Sequence, residues 1–321
     1  MISIIIPAYN AAATIERAIY SVQKHEPNAE IIVVENGSTD ETADLVRKLE
    51  DKNVILVHSE KGVAKARNIG IKAATREWIA FLDADDLWLG TGGIKPEGDI
   101  AFYDYYKDSA LISFKLKGEE ILPWLLSKPT LRMTSWAKIF KRSFLIEQRI
   151  LFDESLWVGE DAEFLLRAVQ KAKTVKFYGY PLYRYCRETT SVMRSINDKR
   201  TEGYLQMLQS VKGIIRTADN MTQPAYLDFL CAHVNLIGVH DIYAYNIKLP
   251  WQRRNEMARA LINNKIIYED IIKLRPWDFM KLQRLPSSLF RYNMCTAGGL
   301  ICFARSIYNQ KLVQRKKMRI I

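Results

Sequence analysis

Cysteine and histidine are both scarce, with four of each in 321 residues. The cysteines (Cys186, Cys231, Cys295, Cys302) form no CxxC pair and no disulfide spacing, which excludes a disulfide-stapled scaffold and favours a reduced, cytosolic setting. The histidines carry no zinc spacing. His58, His233 and His240 lie in apolar surroundings and read as packed or hydrogen-bonded structural residues. No apolar run is long enough to span a bilayer, and the longest late one, 294–303, is interrupted by Gly298 and Gly299. The chain opens on a strand-like run without a basic leader or cleavage site, so no signal peptide is expected. Repeats and low-complexity segments are absent as well. Acidic residues stop at Asp278.

What is present is ordinary globular material, 48% hydrophobic and 26% charged, enough for one large or two modest domains. The net charge of +11 is uneven. Residues 184–321 hold 23 Lys and Arg against 10 Asp and Glu, leaving residues 1–183 at −2. After Asp278, basic residues alternate with apolar ones (Lys281, Leu285, Arg291, Phe303, Lys311), a mixture suited to an anionic membrane surface. Nucleic acid attracts such charge too. No basic stripe with aromatic platforms and no recognition helix is evident, which argues against it. A solvated helical face with a basic tail is the plainest alternative.

The first hundred residues alternate strand and helix signals. Apolar runs at 2–6, 31–34, 54–57 and 78–82 read as buried strands. Helical spacing occupies 12–23, 41–49 and 63–74, with Ser38 or Thr39 able to cap the second helix. This alternation predicts βαβ units in a parallel sheet. Residues 87–96, rich in glycine, read as a loop. Further strands are expected at 100–103, 111–114 and 175–180, and a helix opens at Gly159-Glu160-Asp161. Beyond about Met193 the pattern is mainly helical, so the expected division is an α/β domain at 1–195 and a helical, basic region at 196–321.

Ligands of such sheets bind at the carboxyl ends of the strands. Those ends carry Pro7-Ala8-Tyr9-Asn10, Glu35-Asn36-Gly37-Ser38 and Asp83-Ala84-Asp85-Asp86. Two carboxylates two positions apart on a strand point the same way, and their repulsion asks for a cation between them. A divalent ion shared with substrate phosphates answers that need. An acidic turn capping the next element is the competing reading.

These segments together resemble the family-2 glycosyltransferases with the GT-A fold. Ser3–Asn10 is similar to that family's opening strand and nucleotide loop, and Val33–Asp40 to its VVDDGSTD segment. Gly62, Ala66-Arg67-Asn68 and Gly70 match its GxxxARNxG helix. Phe81–Asp86 matches its DxD element, and Trp136–Arg142 with Gly159-Glu160-Asp161 its acceptor-side segment and ED motif. The resemblance implies a Rossmann-like, mostly parallel sheet with flanking helices.

It also implies inverting, metal-assisted transfer of one sugar from a nucleotide donor, UDP-linked, to a hydroxyl of a lipid-linked or polysaccharide-precursor acceptor in cell-envelope biosynthesis. Asp85 would bind manganese or magnesium, with Asp83 aiding the ion or holding the ribose. Glu35 or Asn36 would read the base edge, and Pro7, Ala8 and Tyr9 would bracket the base. Arg67 would face the nucleotide or form a helix-surface salt bridge. Arg187, in a segment similar to the one that folds over the donor, would neutralise the diphosphate or lie in a plain surface loop. Asp161 would be the general base, with Glu160 orienting it or binding acceptor.

The chain departs from the pattern at three places. Glu35 and Asn36 replace two aspartates, Ala137 stands where asparagine is frequent, and 90–96 lacks the helix often found after DxD. No QxxRW motif is present, which argues against a processive synthase. The expected location is cytoplasmic, peripheral on the inner face of the membrane. A sugar-nucleotide nucleotidyltransferase is the alternative within the same fold, but Pro7-Ala8-Tyr9-Asn10-Ala11 is no glycine-rich basic loop.

Overall fold

A computed structural model describes residues 1–49, 51–107, 109–114, 116, 120–186, 199–216, 222–282 and 284–317. The chain divides into two units, Met1–Leu125 with Thr130–Arg194, and Leu126–Pro129 with Ser195–Ile321.

The first unit is built on one twisted sheet. Its strands are β1 (Ile2–Ala8), β2 (Glu30–Glu35), β3 (Val54–His58), β4 (Trp78–Phe81), β5 (Leu87–Trp88), β6 (Ile100–Lys107), β7 (Ala110–Ile112), β8 (Lys138–Lys141) and β9 (Val175–Tyr185). Their order is β3-β2-β1-β4-β8-β6-β9-β5, with β7 on β6. β1 is buried along its whole length, as a continuous apolar strand covered on both faces must be. It pairs in parallel with β2 and β4, and β2 in parallel with β3. The far half is mixed. β8 runs antiparallel to β4 and β6, and β5 to β9, whereas β9 is parallel to β6. The expectation of a mostly parallel sheet therefore holds for β1–β4 only, where βαβ crossovers force it.

Helices α1 (Ile15–His25), α2 (Thr42–Arg47) and α3 (Val63–Ala73) follow the first three strands. Helix α3 lies unusually close to β1. A Cβ on Gly70 would sit 2.3 Å from Ile5 Cγ2, so only glycine allows that approach. Later come α4 (Ile121–Ser127), α5 (Pro129–Arg132), α6 (Arg142–Glu147) and α7 (Glu160–Lys171). Phe152 and Phe164 stack at 3.9 Å beside Phe81 and Phe140, closing the core under α7.

Two local expectations change. Residues 87–96 include the strand β5, whose Trp88 is fully buried and donates its N–H to Ser21 Oγ at 2.9 Å. Neither Ser38 nor Thr39 caps α2. Both turn to Asn10, and the Asp40 carboxylate accepts from Thr42 N at 3.1 Å instead.

The second unit contains α8 (Lys199–Ile215), α9 (Thr222–Ile237), a π-helical turn (Gly238–Ile242), α10 (Trp251–Ile262) and α11 (Lys265–Ile271). A 3-10 turn (Pro276–Met280), α12 (Leu285–Arg291) and α13 (Cys295–Lys317) complete it. Gly298 and Gly299 bring α13 against Phe290 and Tyr243, where a Cβ on Gly299 would meet Tyr243 Cε1 at 2.3 Å. Phe229, Val234, Ile267 and Ile271 fill its core. Among the described residues, no helix is long and apolar enough to cross a membrane.

Candidate active site

The turn that follows β4 and the start of α7 meet at Arg67 of α3. Its side chain is 4% exposed and forms ion pairs with Asp83 (3.1 Å), Glu160 (3.0 Å) and Asp161 (2.8 Å). Burial of the guanidinium opposes its charge, but the three carboxylates outweigh burial and hold its pKa above the usual range. Arg67, expected to face the nucleotide or to form a helix-surface salt bridge, thus spends its Nη donors on ion pairs that are buried, and its Nε has no partner among the described residues.

The neighbouring Asn68 explains why α3 reaches this place. Its amide donates to Phe152 O at 2.9 Å and accepts from Phe152 N at 2.7 Å, clamping the segment that leads into α7. Gly159 precedes that helix in the left-handed conformation (φ 73°), turning Glu160 and Asp161 into its first turn. A carboxylate there is stabilised by the helix dipole. The Arg-Asn-x-Gly stretch is therefore one device: Gly70 permits close packing, Asn68 holds the segment, and Arg67 ties the turn after β4 to the start of α7.

Asp83 and Asp85 do not lie on a strand. β4 ends at Phe81, and Asp83 to Asp86 form a turn closed by Asp86 N donating to Asp83 O at 3.0 Å. Strand alternation therefore does not orient the pair. Arg17 supports the turn by donating to Asp85 O at 2.7 Å. Burial is the main cause that lifts the Asp83 carboxyl to about 6, with the charges of Asp161 and Asp85 adding to it against Arg67. Burial likewise lifts Glu160 to about 7, helped by Asp161.

Asp86, 1% exposed, accepts hydrogen bonds from the Tyr183 hydroxyl and from Cys186 N, and burial pushes it up to about 8. Trp136 stacks on Tyr183 at 4.5 Å. Asp86 therefore anchors β9 to the DxD turn.

At the base-reading edge, Pro7 and Ala8 are buried within β1 and Ala8 O accepts from Asn36 N at 2.9 Å. Tyr9 extends beyond them, its hydroxyl accepting from Lys61 Nζ at 2.8 Å. Glu35 accepts from Ser38 N and contacts His58 Nδ1 at 3.1 Å. Burial alone would raise the Glu35 pKa, but these hydrogen bonds together hold it below the ordinary value. His58 takes the hydrogen-bonded of its two expected roles rather than the packed one, its side chain standing 55% exposed beside Glu35. His233 is buried as expected, and burial lowers it to about 4. Asn36 is 4% exposed and its Oδ1 has no hydrogen-bond partner among the described residues. Arg187 lies outside the described residues.

Lys138 was not singled out from the sequence, although a lysine opening the strand Lys-Ile-Phe-Lys was a signal. It is fully buried, donates to Thr134 Oγ1 at 3.1 Å and Trp136 O at 3.3 Å, and faces the Phe102 and Phe114 rings. Burial lowers it to about 7, opposed by the charge of Asp161. Ala137, where asparagine was anticipated, adopts φ 56°, a region asparagine tolerates better than alanine. The backbone shape persists without the amide.

Residues 3–91 match the family described as Glycosyl transferase family 2. That segment belongs to this family. One relative is UDP-Glc:alpha-D-GlcNAc-diphosphoundecaprenol beta-1,3-glucosyltransferase WfaP of Escherichia coli, 42% identical over 97 residues, 28% of this chain and 38% of that protein. Poly(ribitol-phosphate) beta-N-acetylglucosaminyltransferase TarS of Staphylococcus aureus is 26% identical over 237 residues, 68% of this chain. The chain spans only 38% and 41% of these two relatives' lengths. The crystal structure of S. aureus TarS 1–349 in complex with UDP-GlcNAc has a TM-score of 0.70 at 20% identity, covering 97% of this chain and 92% of that one. The architecture of this chain is accordingly GT-A, with a helical C-terminal region.

Proposed function

We propose that this family-2 protein transfers one sugar, with inversion, from a UDP-linked donor to a hydroxyl of a lipid-linked or polysaccharide-precursor acceptor. The single observation that carries the reading is the Arg67 cluster. It joins Asp83 of the donor-side turn to Glu160 and Asp161 of the acceptor-side helix, within 3.1 Å of one guanidinium. Donor and acceptor chemistry need that proximity.

Asn36 supports nucleotide recognition. Its orphaned, buried Oδ1 suits an N–H on a base edge, because an unpaired buried acceptor is costly. Tyr9 and Lys61 form a rim beside it. Relatives supply the choice of UDP and of acceptor, since WfaP is named for UDP-Glc and a diphosphoundecaprenol acceptor, and TarS was crystallised with UDP-GlcNAc.

Among the described residues, no group of three His, Cys, Asp or Glu side chains is arranged to hold an ion alone. Asp83 and Asp85 nonetheless fit an ion held jointly with a diphosphate. Burial first, and then the charges of Asp161 and Asp85, lift Asp83, and a cation between the two turn carboxylates relieves their share of that repulsion. Manganese or magnesium bound there would neutralise the charge of the departing diphosphate. Asp161 acts as the general base on the acceptor hydroxyl. Its Oδ1 is fixed by Arg67, and among the described residues Oδ2 takes no hydrogen bond. Glu160 shares the same Arg67 nitrogen and orients the pair. The basic second half of the chain docks the protein on the cytoplasmic face of an anionic membrane, where such acceptors reside.

The test is a thermal-shift and transfer screen over UDP-, GDP- and dTDP-sugars, with and without manganese or magnesium, in wild type and Asp85→Asn. UDP-sugars should stabilise the wild type in a cation-dependent way, and Asp85→Asn should lose that dependence. Donor binding unaffected by cation, or no response to any donor, contradicts the reading.

A further inference from the structure

Three strongly exposed apolar side chains of the second unit cluster in one turn. Trp277, Met280 and Leu282 stand 61%, 88% and 86% exposed within six positions. Concentrated apolar exposure of this kind marks an interaction surface. The turn holds these side chains outward by its own bonding. The Asp278 carboxylate accepts from Arg275 N at 2.8 Å and from Arg284 Nη1 at 2.7 Å, and Arg284 also pairs with Asp228. A frayed loop would have no such brace.

Beside the turn lies a cavity of about 650 Å³, entirely within this unit, lined by Trp277 and by Lys273, Arg275, Lys281 and Arg284. Two of those charges are matched internally, Arg284 by Asp228 and Asp278, and Lys273 by Asp270 at 2.6 Å. Arg275 and Lys281 take part in no ion pair among the described residues. Arg275 instead rests over the Trp277 ring at 5.2 Å. An apolar tip is thus flanked by two cations with unused charge, in a chain that carries no acidic residue after Asp278.

We propose that the 275–282 turn is a membrane-docking tip. Trp277, Met280 and Leu282 enter the headgroup–acyl boundary of an anionic bilayer, while Arg275 and Lys281 bind lipid phosphates at the mouth of the cavity. Tryptophan favours that boundary, and basic residues beside it gain from anionic headgroups. A second copy of the chain fits less well. A two-fold contact through this tip would set Arg275 and Lys281 near their own counterparts, where like charges repel. The inference rests on the membrane reading above, and it narrows the docking contact from the basic second half as a whole to this turn.

The experiment is co-sedimentation of the full chain with vesicles of phosphatidylcholine alone or mixed with phosphatidylglycerol at low salt. The variants are the triple Trp277→Ser/Met280→Ser/Leu282→Ser, the pair Arg275→Glu/Lys281→Glu, and a truncation before Lys311. All substituted side chains project outward or line the cavity, and circular dichroism verifies folding. Wild type should bind only the anionic vesicles, each set of substitutions should weaken binding by at least about tenfold, and truncation by less than about threefold. Brominated lipids should quench wild-type fluorescence more than that of Trp277→Phe, which retains binding. Variants that bind as wild type does overturn the turn's role and leave the membrane reading intact. A wild type that ignores anionic vesicles overturns both. Self-association abolished by the triple variant, without vesicle binding, assigns the tip to a second copy and overturns the proposal.

Discussion

Replacing Arg67 by methionine isolates the contribution of the cluster's only guanidinium. The methionine keeps most of the buried stem volume and leaves Asp83, Glu160 and Asp161 facing one another without their cation. Breaking a buried pair by removing one partner costs about 3–5 kcal/mol. Three carboxylates lose their partner here, and the side chain is 4% exposed, so the upper end applies at pH 8. Part of that loss disappears on acidification. Without Arg67 the Asp83 and Glu160 carboxyls lose the charge that opposes burial, so their already raised pKa values rise further and the folded protein binds more protons than the unfolded chain. Stability then falls as pH rises through those values, at up to about 1.4 kcal/mol per pH unit for each proton. The variant should therefore trail the wild type by about 4–5 kcal/mol at pH 8 and by about 2 kcal/mol at pH 5. Urea denaturation followed by tryptophan fluorescence at the two pH values reads this directly. A penalty under about 1 kcal/mol, or one equal at both pH values, would refute the reasoning.

The wild type has a pH signature of its own. Burial holds Asp83, Glu160 and Asp86 near 6, 7 and 8, above ordinary carboxylates, so their share of the stability is present in acid and is lost as pH rises between about 5 and 8, whereas the lowered Lys138 and His233 act in the opposite sense. Asp86→Asn should flatten the upper part of that decline in denaturation curves, and an unchanged slope would contradict the burial assigned to Asp86. Gly70→Ala should destabilise by about 2 kcal/mol or more, because its Cβ would lie 2.3 Å from Ile5 Cγ2. A melting temperature within a degree of wild type would show that α3 can retreat from β1.

The strands β1 to β4 were legible because each is an unbroken apolar run between turn residues, and the helices between them because apolar spacing follows 3.6 residues. Strand β5 was not legible. Two residues carry no periodicity, and Leu87–Trp88 are a strand only because Tyr183 and Arg184 pair with them nearly a hundred positions later. The same non-local pairing makes the far half of the sheet mixed. Asp83 and Asp85 were correctly located at a strand end, yet their shared direction was inferred from a strand that stops at Phe81. Arg67 shows the limit most clearly. Its place on α3 was readable, but that three carboxylates from two distant segments converge on it depends on the Asn68 clamp and on Gly70, which only packing reveals. Asp40, in place of Ser38 or Thr39, reaches the α2 amide because Asn10 has already claimed the other two.

The central claim is that one carboxylate of this cluster removes the acceptor's proton while the donor is held elsewhere in the site. Asp161→Asn keeps the side chain's shape and removes its basicity. With a UDP-sugar and a lipid-diphosphate saccharide acceptor, product formation should fall by about 10²–10⁴-fold. Donor affinity measured by calorimetry on the same sample should stay within about threefold of wild type, the base having no share in donor binding. Transfer within about tenfold of wild type, with donor affinity intact, would contradict the account.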